Sequence, residues 1–453
     1  MFTLVDRVLF FGIYCKRAVI FLLEKLNEAL GGILMPAILI IIGTFFAARL
    51  GFFYVFHPVK TVKTILSNSK GGFKSLTVAL AGTLGVGNIA GVSSAIIMGG
   101  AGAVFWMWIS AFAAMSLKYV EVFLSIKYRR EKNGEYYGGA PYYIKDGMKS
   151  KVGVRLSLYL SCIFALLCVV NSLTTGNLVQ INAVANVTPL PPIIFGIIFT
   201  VTVFLIISGG VKRISSFTFI LMPLLTVFYI VLSLYVIIYD AQKIPDTLAL
   251  IFKSAFSFRS AASGVFGYGI KEAIRYGVSR GVLSNEAGCG TAPTAHASSN
   301  TGSAHAQGCL GILEVFTDTV VLCTLTALVI LIAGENPSGD AVSLVSASYG
   351  KYLGKFGVYA ISGSSVLFAL ATVACQFYYG EEALSYITKS KLSKGIYTAV
   401  FFFVCIVSSV VPMSLMWQIS DLTLSIMTVF NVICLLFLFG DLKKIHTYDT
   451  IMC

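Results

Sequence analysis

The residues of this chain with chemistry to offer gather in two glycine-interrupted stretches. Leu80 to Gly91 reads LAGTLGVGNIAG and places Gly82, Thr83, Gly85, Gly87 and Asn88 inside an otherwise apolar segment. Gly281 to Ala297 reads GVLSNEAGCGTAPTAHA and collects Ser284, Asn285, Glu286, Gly288, Thr291 and His296, with Pro293 closing the interruption. Glycine takes backbone angles that other residues avoid and lets a ligand approach the main chain. A membrane helix that unwinds at mid-depth must satisfy its freed N–H and C=O groups with protein, water or ligand. The N-terminal end of a half-helix offers N–H groups and partial positive charge to a carboxylate. The C-terminal end of a half-helix and unwound carbonyls suit a cation or an ammonium. Two such breaks together can therefore hold a zwitterion, and an amino acid is the common small one. Helix packing through small residues also explains the first set of glycines, but not Thr83 and Asn88 beside them. For the second stretch the competing reading is a re-entrant or extramembrane loop. Glu286 is costly inside a span and would then be functional, whereas at the water boundary it would only cap a half-helix.

Other polar residues sit in apolar surroundings. Asn177 and Gln180, in TTGNLVQIN, are about one turn apart, so one helix face offers both amides either to a substrate or to a neighbouring helix. Thr372 and Gln376 are also one turn apart. Thr372 is a candidate oxygen ligand for a small hard cation, with backbone carbonyls near Thr83, or else a hydroxyl bonded to its own helix. Trp106 and Trp108 read as packing or interfacial aromatics. His296 and His305 lack partners at metal spacing, so zinc is not expected. Lys271, Glu272 and Arg275 suggest a compensating ion pair or a gate.

Positioning such groups takes a membrane scaffold. The 453 residues are 57% hydrophobic and 12% charged, with a mean hydropathy of +0.86. Soluble domains carry about 25% charge, so the expected class is an all-α polytopic membrane protein. The net charge of +13 sits in loops such as Lys127 to Lys151, which fits positive-inside sorting rather than nucleic-acid binding. The ten cysteines fall mostly within apolar spans and read as small packing residues, not as a disulfide framework. No cleaved signal peptide is expected at the start.

Hydropathy predicts about eleven spans: Ile33–Phe56, Ser75–Met98, Ala101–Ile126, Leu156–Val179, Ile193–Gly209, Phe217–Tyr239, Ala261–Ala297, Gly308–Ala333, Phe356–Tyr386, Ile396–Val411 and Leu415–Gly440. Residues 1–32 are expected to lie at the interface, 33–56 to form an extra helix, 75–239 and 261–440 to form two five-helix repeats, and 441–453 to be a cytoplasmic tail. Each repeat opens on a broken span, and interruptions at matching positions of two halves point to an inverted-repeat carrier. The count of Lys and Arg by loop places the C-terminus in the cytoplasm, with Lys16, Arg17 and Lys25 fitting poorly. A channel would want repeated charges or carbonyl rings along a pore, and an enzyme a facing catalytic pair at depth; neither pattern is evident.

At these broken helices the sequence resembles the alanine or glycine:cation symporter family. The matching passages include GTLGVGNIAGV, GAVFWMWISAF, KYVEVFLSIKYR, EYYGGAPYYI, GNLVQINA, SRGVLSNEAGCGTAPTAHA, DTVVLCTLTALVIL and YYGE, in family order from about Ser75 to Glu381. The resemblance implies a LeuT-type fold, a five-plus-five inverted core with one extra N-terminal helix, and Na⁺-coupled uptake of alanine or glycine. Carried over by position, the substrate region comprises Gly82, Thr83, Gly85, Gly87, Asn88, Asn177, Gln180, Ser284, Asn285, Glu286, Gly288 and Thr291, with Gln376 lining the pocket. Three positions depart from the family pattern. Gln376 stands where the family often has tryptophan, Ala371-Thr372 replaces a Ser-Thr pair, and Gly99 to Ala103 replaces GGPGA. The expectation is thus an importer of alanine, glycine or D-alanine working by alternating access in the cytoplasmic membrane. It is expected to need no cofactor beyond Na⁺ and to work as a monomer. The alternative is an H⁺-coupled permease for a larger or more polar neutral amino acid such as glutamine or serine.

Overall fold

In hydrocarbon an unpaired peptide group has no water to turn to, so a chain this apolar folds into helices that satisfy their own backbones. The structure is a computed structural model and describes residues 21–67, 69–257, 269–300, 303–335 and 341–442. Helix α1 runs Phe21–Arg49, with a π turn at Leu30–Leu34 around Gly31 and Gly32. It stops where Gly51 and Phe52 take left-handed backbone angles, φ 67 and 49. The expected boundary at residue 32 therefore falls inside one helix, and its end lies at Arg49 rather than Phe56. Glu24, Lys25 and Glu28, whose charges suggested an interfacial segment, all sit at exposed positions of that helix. Residues 1–20 of the expected segment, 261–268 of the second repeat and most of the tail lie outside the described residues.

After α2 (Pro58–Ser67) comes the first broken helix: α3 (Ser69–Thr83), a tight turn at Val86–Asn88, and α4 (Ala90–Gly99). Its two arms are bent by 54°. Then follow α5 (Gly102–Lys127), a small hairpin of β1 (Arg130–Lys132) and β2 (Glu135–Tyr137), α6 (Ala140–Val152), α7 (Val154–Ala185, with a π turn at Thr174–Leu178), α8 (Pro192–Ile207), α9 (Gly210–Tyr239) and α10 (Ile244–Ala255). The second broken helix is α11 (Ile270–Asn285) and α12 (Pro293–Ala297). It is followed by α13 (Ala304–Ala333, with a π stretch at Phe316–Cys323). Residues 341–387 form two helices, α14 (341–353) and α15 (355–387), which meet at Gly354 with φ 59. Helix α14 was not expected; its buried Val342, Val345 and Tyr349 recur at helical spacing and dock it on the core. Last come α16 (Lys391–Ser408) and α17 (Met413–Leu438).

Among the described residues, eight helices are long and apolar enough to cross a membrane, and nine if the bent pair is one span. The expected eleven additionally needs the 16-residue α8 and the broken pair α11 and α12. The element order repeats, as the resemblance implies: a broken helix, then α5, α7, α8 and α9; again a broken helix, then α13, α15, α16 and α17. Outward faces are apolar. On α9 Ile220, Leu224, Val227, Val231 and Ile238 form one exposed stripe, and on α8 Ile194, Ile197, Val201 and Phe204 form another. In water such patches would drive association, while against lipid tails they cost nothing.

The inside is organised on α5, which packs against α1, α11 and α13. Contacts are close because the crossing residues are small. A Cβ on Gly277 would fall 2.3 Å from the Ala103 carbonyl oxygen, and one on Gly43 2.6 Å from that of Ala113. These crossings fix where α11 ends, and the second break begins there.

Candidate functional site

Helix α3 ends at Thr83 because Gly85 turns to extended angles, φ −124 and ψ −153. A Cβ at Gly85 would lie 2.7 Å from both Gln180 Oε1 and Thr372 Oγ1, so only glycine lets α7 and α15 close on the break. The freed backbone is met from both sides. Val86 N–H donates to Gln180 Oε1 at 2.9 Å. The Thr372 hydroxyl lies 3.4 Å from the Leu84 carbonyl and 3.0 Å from that of Phe368. The bond to Phe368 is the hydroxyl's return to its own helix, so Thr372 Oγ1 and the Leu84 carbonyl are the oxygens that stand beside the unwound turn.

At the second break α11 ends on Glu286, a non-glycine residue in the left-handed region (φ 49, ψ 24). Gly288 and Gly290 follow with φ 83 and 76. Residues 286–292 are wholly buried, so their peptide groups need partners within the protein. The Glu121 carboxylate of α5 accepts from Gly290 N at 2.9 Å and Gly288 N at 3.2 Å. Asn431 of α17 donates to the Gly288 carbonyl at 3.0 Å and to Glu121 at 2.5 Å. Tyr143 of α6 in turn donates to Asn431 Oδ1 at 2.6 Å. The Glu286 carboxylate points back toward the first break, accepting from Gln376 Nε2 at 2.7 Å and from the Thr291 hydroxyl.

The two breaks touch. A Cβ on Gly87 would sit 3.0 Å from Ser284 Cα. Asp318, in the π stretch of α13, ties them together. Its Oδ1 accepts from Asn88 Nδ2 at 2.7 Å, and its Oδ2 accepts from the hydroxyls of Ser284 at 2.8 Å and Thr319 at 2.7 Å. Glu121, Glu286, Glu314 and Asp318 are all buried, as is Lys118, which pairs with Glu314 at 3.2 Å. Among the described residues Asp318 hydrogen-bonds only to uncharged groups. A lone carboxylate at membrane depth is costly and marks a site of function.

A second buried network runs through the inner arms. His296 Nε2 of α12 lies 3.0 Å from Glu314 Oε2, and its Nδ1 lies 2.7 Å from Gln307 Nε2. Gln307 also donates to Ser75 Oγ of α3 at 2.7 Å. On the opposite side, fully buried Arg280 of α11 binds both oxygens of Asp421 on α17. It also donates to Ser94 at 2.9 Å and stacks 4.3 Å from the Trp417 ring centre.

The structure therefore brings Gly82, Gly85, Gly87, Asn88, Gln180, Ser284, Glu286, Thr291, Thr372 and Gln376 to one place. Four expected residues face elsewhere. Asn177 donates to the Phe401 carbonyl of α16 at 3.0 Å; it lies in the π turn, whose wider winding separates it from Gln180. The Thr83 hydroxyl bonds back to Ala79 at 3.1 Å within its own helix. Asn285 turns onto its own loop, accepting from Ala287 N at 2.9 Å and donating to Thr319 at 3.0 Å. Gly288 faces Glu121 and Val432 rather than the first break. Lys271 pairs with Glu28 of α1 at 3.6 Å, and the buried ion pair of this region is the unanticipated Arg280–Asp421. Trp106 and Trp108 donate to Ala255 O at 3.1 Å and Thr324 Oγ1 at 2.8 Å, as packing residues do. Asp318, Glu121 and Lys118 were missed although acids and lysines inside apolar runs are themselves a signal. Asn431 and Tyr143 carried none.

Two interrupted helices that touch at Gly87 and Ser284 and share the Asp318 carboxylate form the core of a multi-pass membrane protein. Residues 16–450 match the model of the sodium:alanine symporter family, and the chain belongs to it. It is similar to the sodium/alanine symporter AgcS of Methanococcus maripaludis, 36% identical over 437 residues that cover 92% of this chain and 94% of that one. It is also similar to the probable sodium/glutamine symporter GlnT of Bacillus subtilis, 31% identical over 425 residues covering 91% and 87%. Among solved structures, that of a Na⁺-coupled sialic acid symporter in a substrate-bound outward-open state superposes with a TM-score of 0.47 at 14% identity, covering 88% of this chain and 81% of that one. The protein is thus a membrane transporter of an amino-acid symporter family, not an enzyme.

Proposed function

We propose that the chain imports a small neutral amino acid of the alanine and glycine class, D-alanine included, coupled to Na⁺ across the cytoplasmic membrane. The amino and carboxyl groups of the substrate would be held between the turn at Gly82 to Asn88 and the turn at Ser284 to Thr291. Na⁺ would be held by Thr372 with backbone carbonyls near Thr83, that of Leu84 among them. The observations that support this reading are the contact of the two breaks at Gly87 and Ser284 and the Thr372 hydroxyl beside the Leu84 carbonyl of the first. The family membership supports the substrate class. The C-terminus would face the cytoplasm, and the protein would work as a monomer.

One observation favours a second coupling ion. Ala371 brings no hydroxyl beside Thr372, so the oxygen set is one short of a Ser-Thr pair. An H⁺-coupled carrier needs no such set, and Glu286 would then be the group to hold the proton. Uptake of labelled alanine and glycine into proteoliposomes, under an inward Na⁺ or an inward H⁺ gradient, decides between them. Accumulation with Na⁺ alone supports the first reading, and accumulation with H⁺ alone replaces it. No accumulation with either gradient sinks both.

A further inference from the structure

Helix α2, Pro58–Ser67, is 10 residues long. At ~1.5 Å per residue it reaches about half of the ~30 Å hydrocarbon layer, so it cannot cross a membrane. Its side chains form three faces. Thr61 and Ile65, one turn apart, are buried, and α2 packs against residues 304–315 of α13. Val59, Val62 and Leu66 recur at helical spacing and are 49–66% exposed, with exposed Phe56 just before them. Lys60 and Lys63 are exposed as well. At about 100° per residue they flank the apolar stripe and point away from the buried face.

The charge around this corner has one sign. Between Glu28 and Glu121 the sequence holds no Asp or Glu, yet it carries Arg49, Lys60, Lys63, Lys70 and Lys74. Among the described residues no ion pair involves Lys60 or Lys63. The corner follows the end of α1, where the Arg49 guanidinium lies 5.4 Å from the ring centre of Phe439, just past α17. Lys127, at the end of α5, pairs with Asp441 beside it at 3.2 Å. The proposed orientation puts this face in the cytoplasm, whose leaflet is the anionic one. Helix α2 also leads straight to the first break. Only position 68 separates it from α3, which runs to Thr83.

We infer that α2 binds the headgroups of anionic phospholipids through Lys60 and Lys63 and so anchors the leading arm of the first broken helix to the bilayer surface. Val59, Val62 and Leu66 enter the acyl boundary, and the lysine stems run alongside them to the phosphate layer, as in an interfacial helix. A zwitterionic headgroup brings its own cation beside its phosphate and leaves the two lysines without a counter-charge. An anionic headgroup supplies it. Each lysine near such a surface is worth about a fivefold gain in binding.

The test uses the full chain in detergent with phosphatidylglycerol or phosphatidylcholine added, and counts the lipids each protein retains by native mass spectrometry. Retention is read whether or not any substrate is carried, so it stands apart from the transport reading. Wild type is expected to retain more phosphatidylglycerol than phosphatidylcholine. Lys60→Gln with Lys63→Gln should lose phosphatidylglycerol and keep phosphatidylcholine, whereas Lys60→Arg with Lys63→Arg should keep both. Lys212→Gln with Arg213→Gln, at another exposed basic pair, should retain what wild type retains. In proteoliposomes, Na⁺-driven alanine uptake should be faster with phosphatidylglycerol present, and the Lys60 and Lys63 glutamine variant should lose that difference. Equal retention by wild type and that variant overturns the inference. An equal loss in the Lys212 and Arg213 variant also overturns it, since the effect would then belong to overall charge. Lost retention with an unchanged lipid dependence of uptake overturns the anchoring of α3.

Discussion

The amide of Asn88 in the first broken helix donates to the carboxylate of Asp318 at 2.7 Å, and the same carboxylate takes the hydroxyl of Ser284 in the second. One acid therefore sets the spacing of both breaks. Replacing it with asparagine keeps the shape and removes the charge. Asp318→Asn is expected to insert normally and to lower Na⁺-driven alanine uptake at least about tenfold, a loss of ~1.4 kcal/mol in coupling. Uptake within twofold of wild type at equal membrane expression would show that Asp318 is only scaffolding.

Gly85 has no room for a side chain, whereas a Cβ at Gly91 would first meet Leu283 at 3.6 Å. Gly85→Ala should therefore abolish uptake, and Gly91→Ala should leave it near wild type. Overpacking of this kind costs about 1–3 kcal/mol. Comparable activities for the two variants would mean the first break relaxes freely.

The oxygen set at Thr372 predicts a rise in the Na⁺ concentration needed for half-maximal uptake when Thr372→Ala is made, with Thr372→Ser restoring it. Ala371→Ser adds an oxygen and should lower that concentration. A Na⁺ dependence unmoved by all three variants would place the coupling ion elsewhere.

Arg280 is buried against Asp421 and Trp417, so removing the acid strands a charge. Asp421→Ala should destabilise the purified protein by about 3–5 kcal/mol, seen as a lower unfolding temperature in detergent. Replacing both partners by apolar residues should recover most of that loss, and a double variant no better than the single one would count against a specific pair.

The two breaks were legible because their glycines stand with Asn88 in one stretch and with Ser284, Glu286 and Pro293 in the other, which close helix packing alone does not call for. Gly85 and Glu286 do terminate helices, and they do so within the stretches the composition marked. What holds the breaks was not legible. Glu121 and Asn431 are 310 residues apart in sequence and meet only in the fold. The expectation for Asn177 assumed a regular α-helix, and the π turn at Thr174–Leu178 carries no pattern of its own. Asp318 was hidden differently: a single acid in DTVVLCTLTALVIL hardly moves a hydropathy average, although it is the most informative residue there.

The chain of contacts from Ser75 through Gln307 and His296 to Glu314 and Lys118 has a mechanical consequence. It fastens the leading arm of one broken helix and the trailing arm of the other to the same two long helices. Arms clamped to a common beam turn with it as one crank, and neither can swing out as a separate flap. The strain of each stroke then concentrates at the two unwound turns, which act as its bearings. A disulfide placed between positions 75 and 307 should leave turnover intact, and arrest of transport by that link would show that the arms move apart.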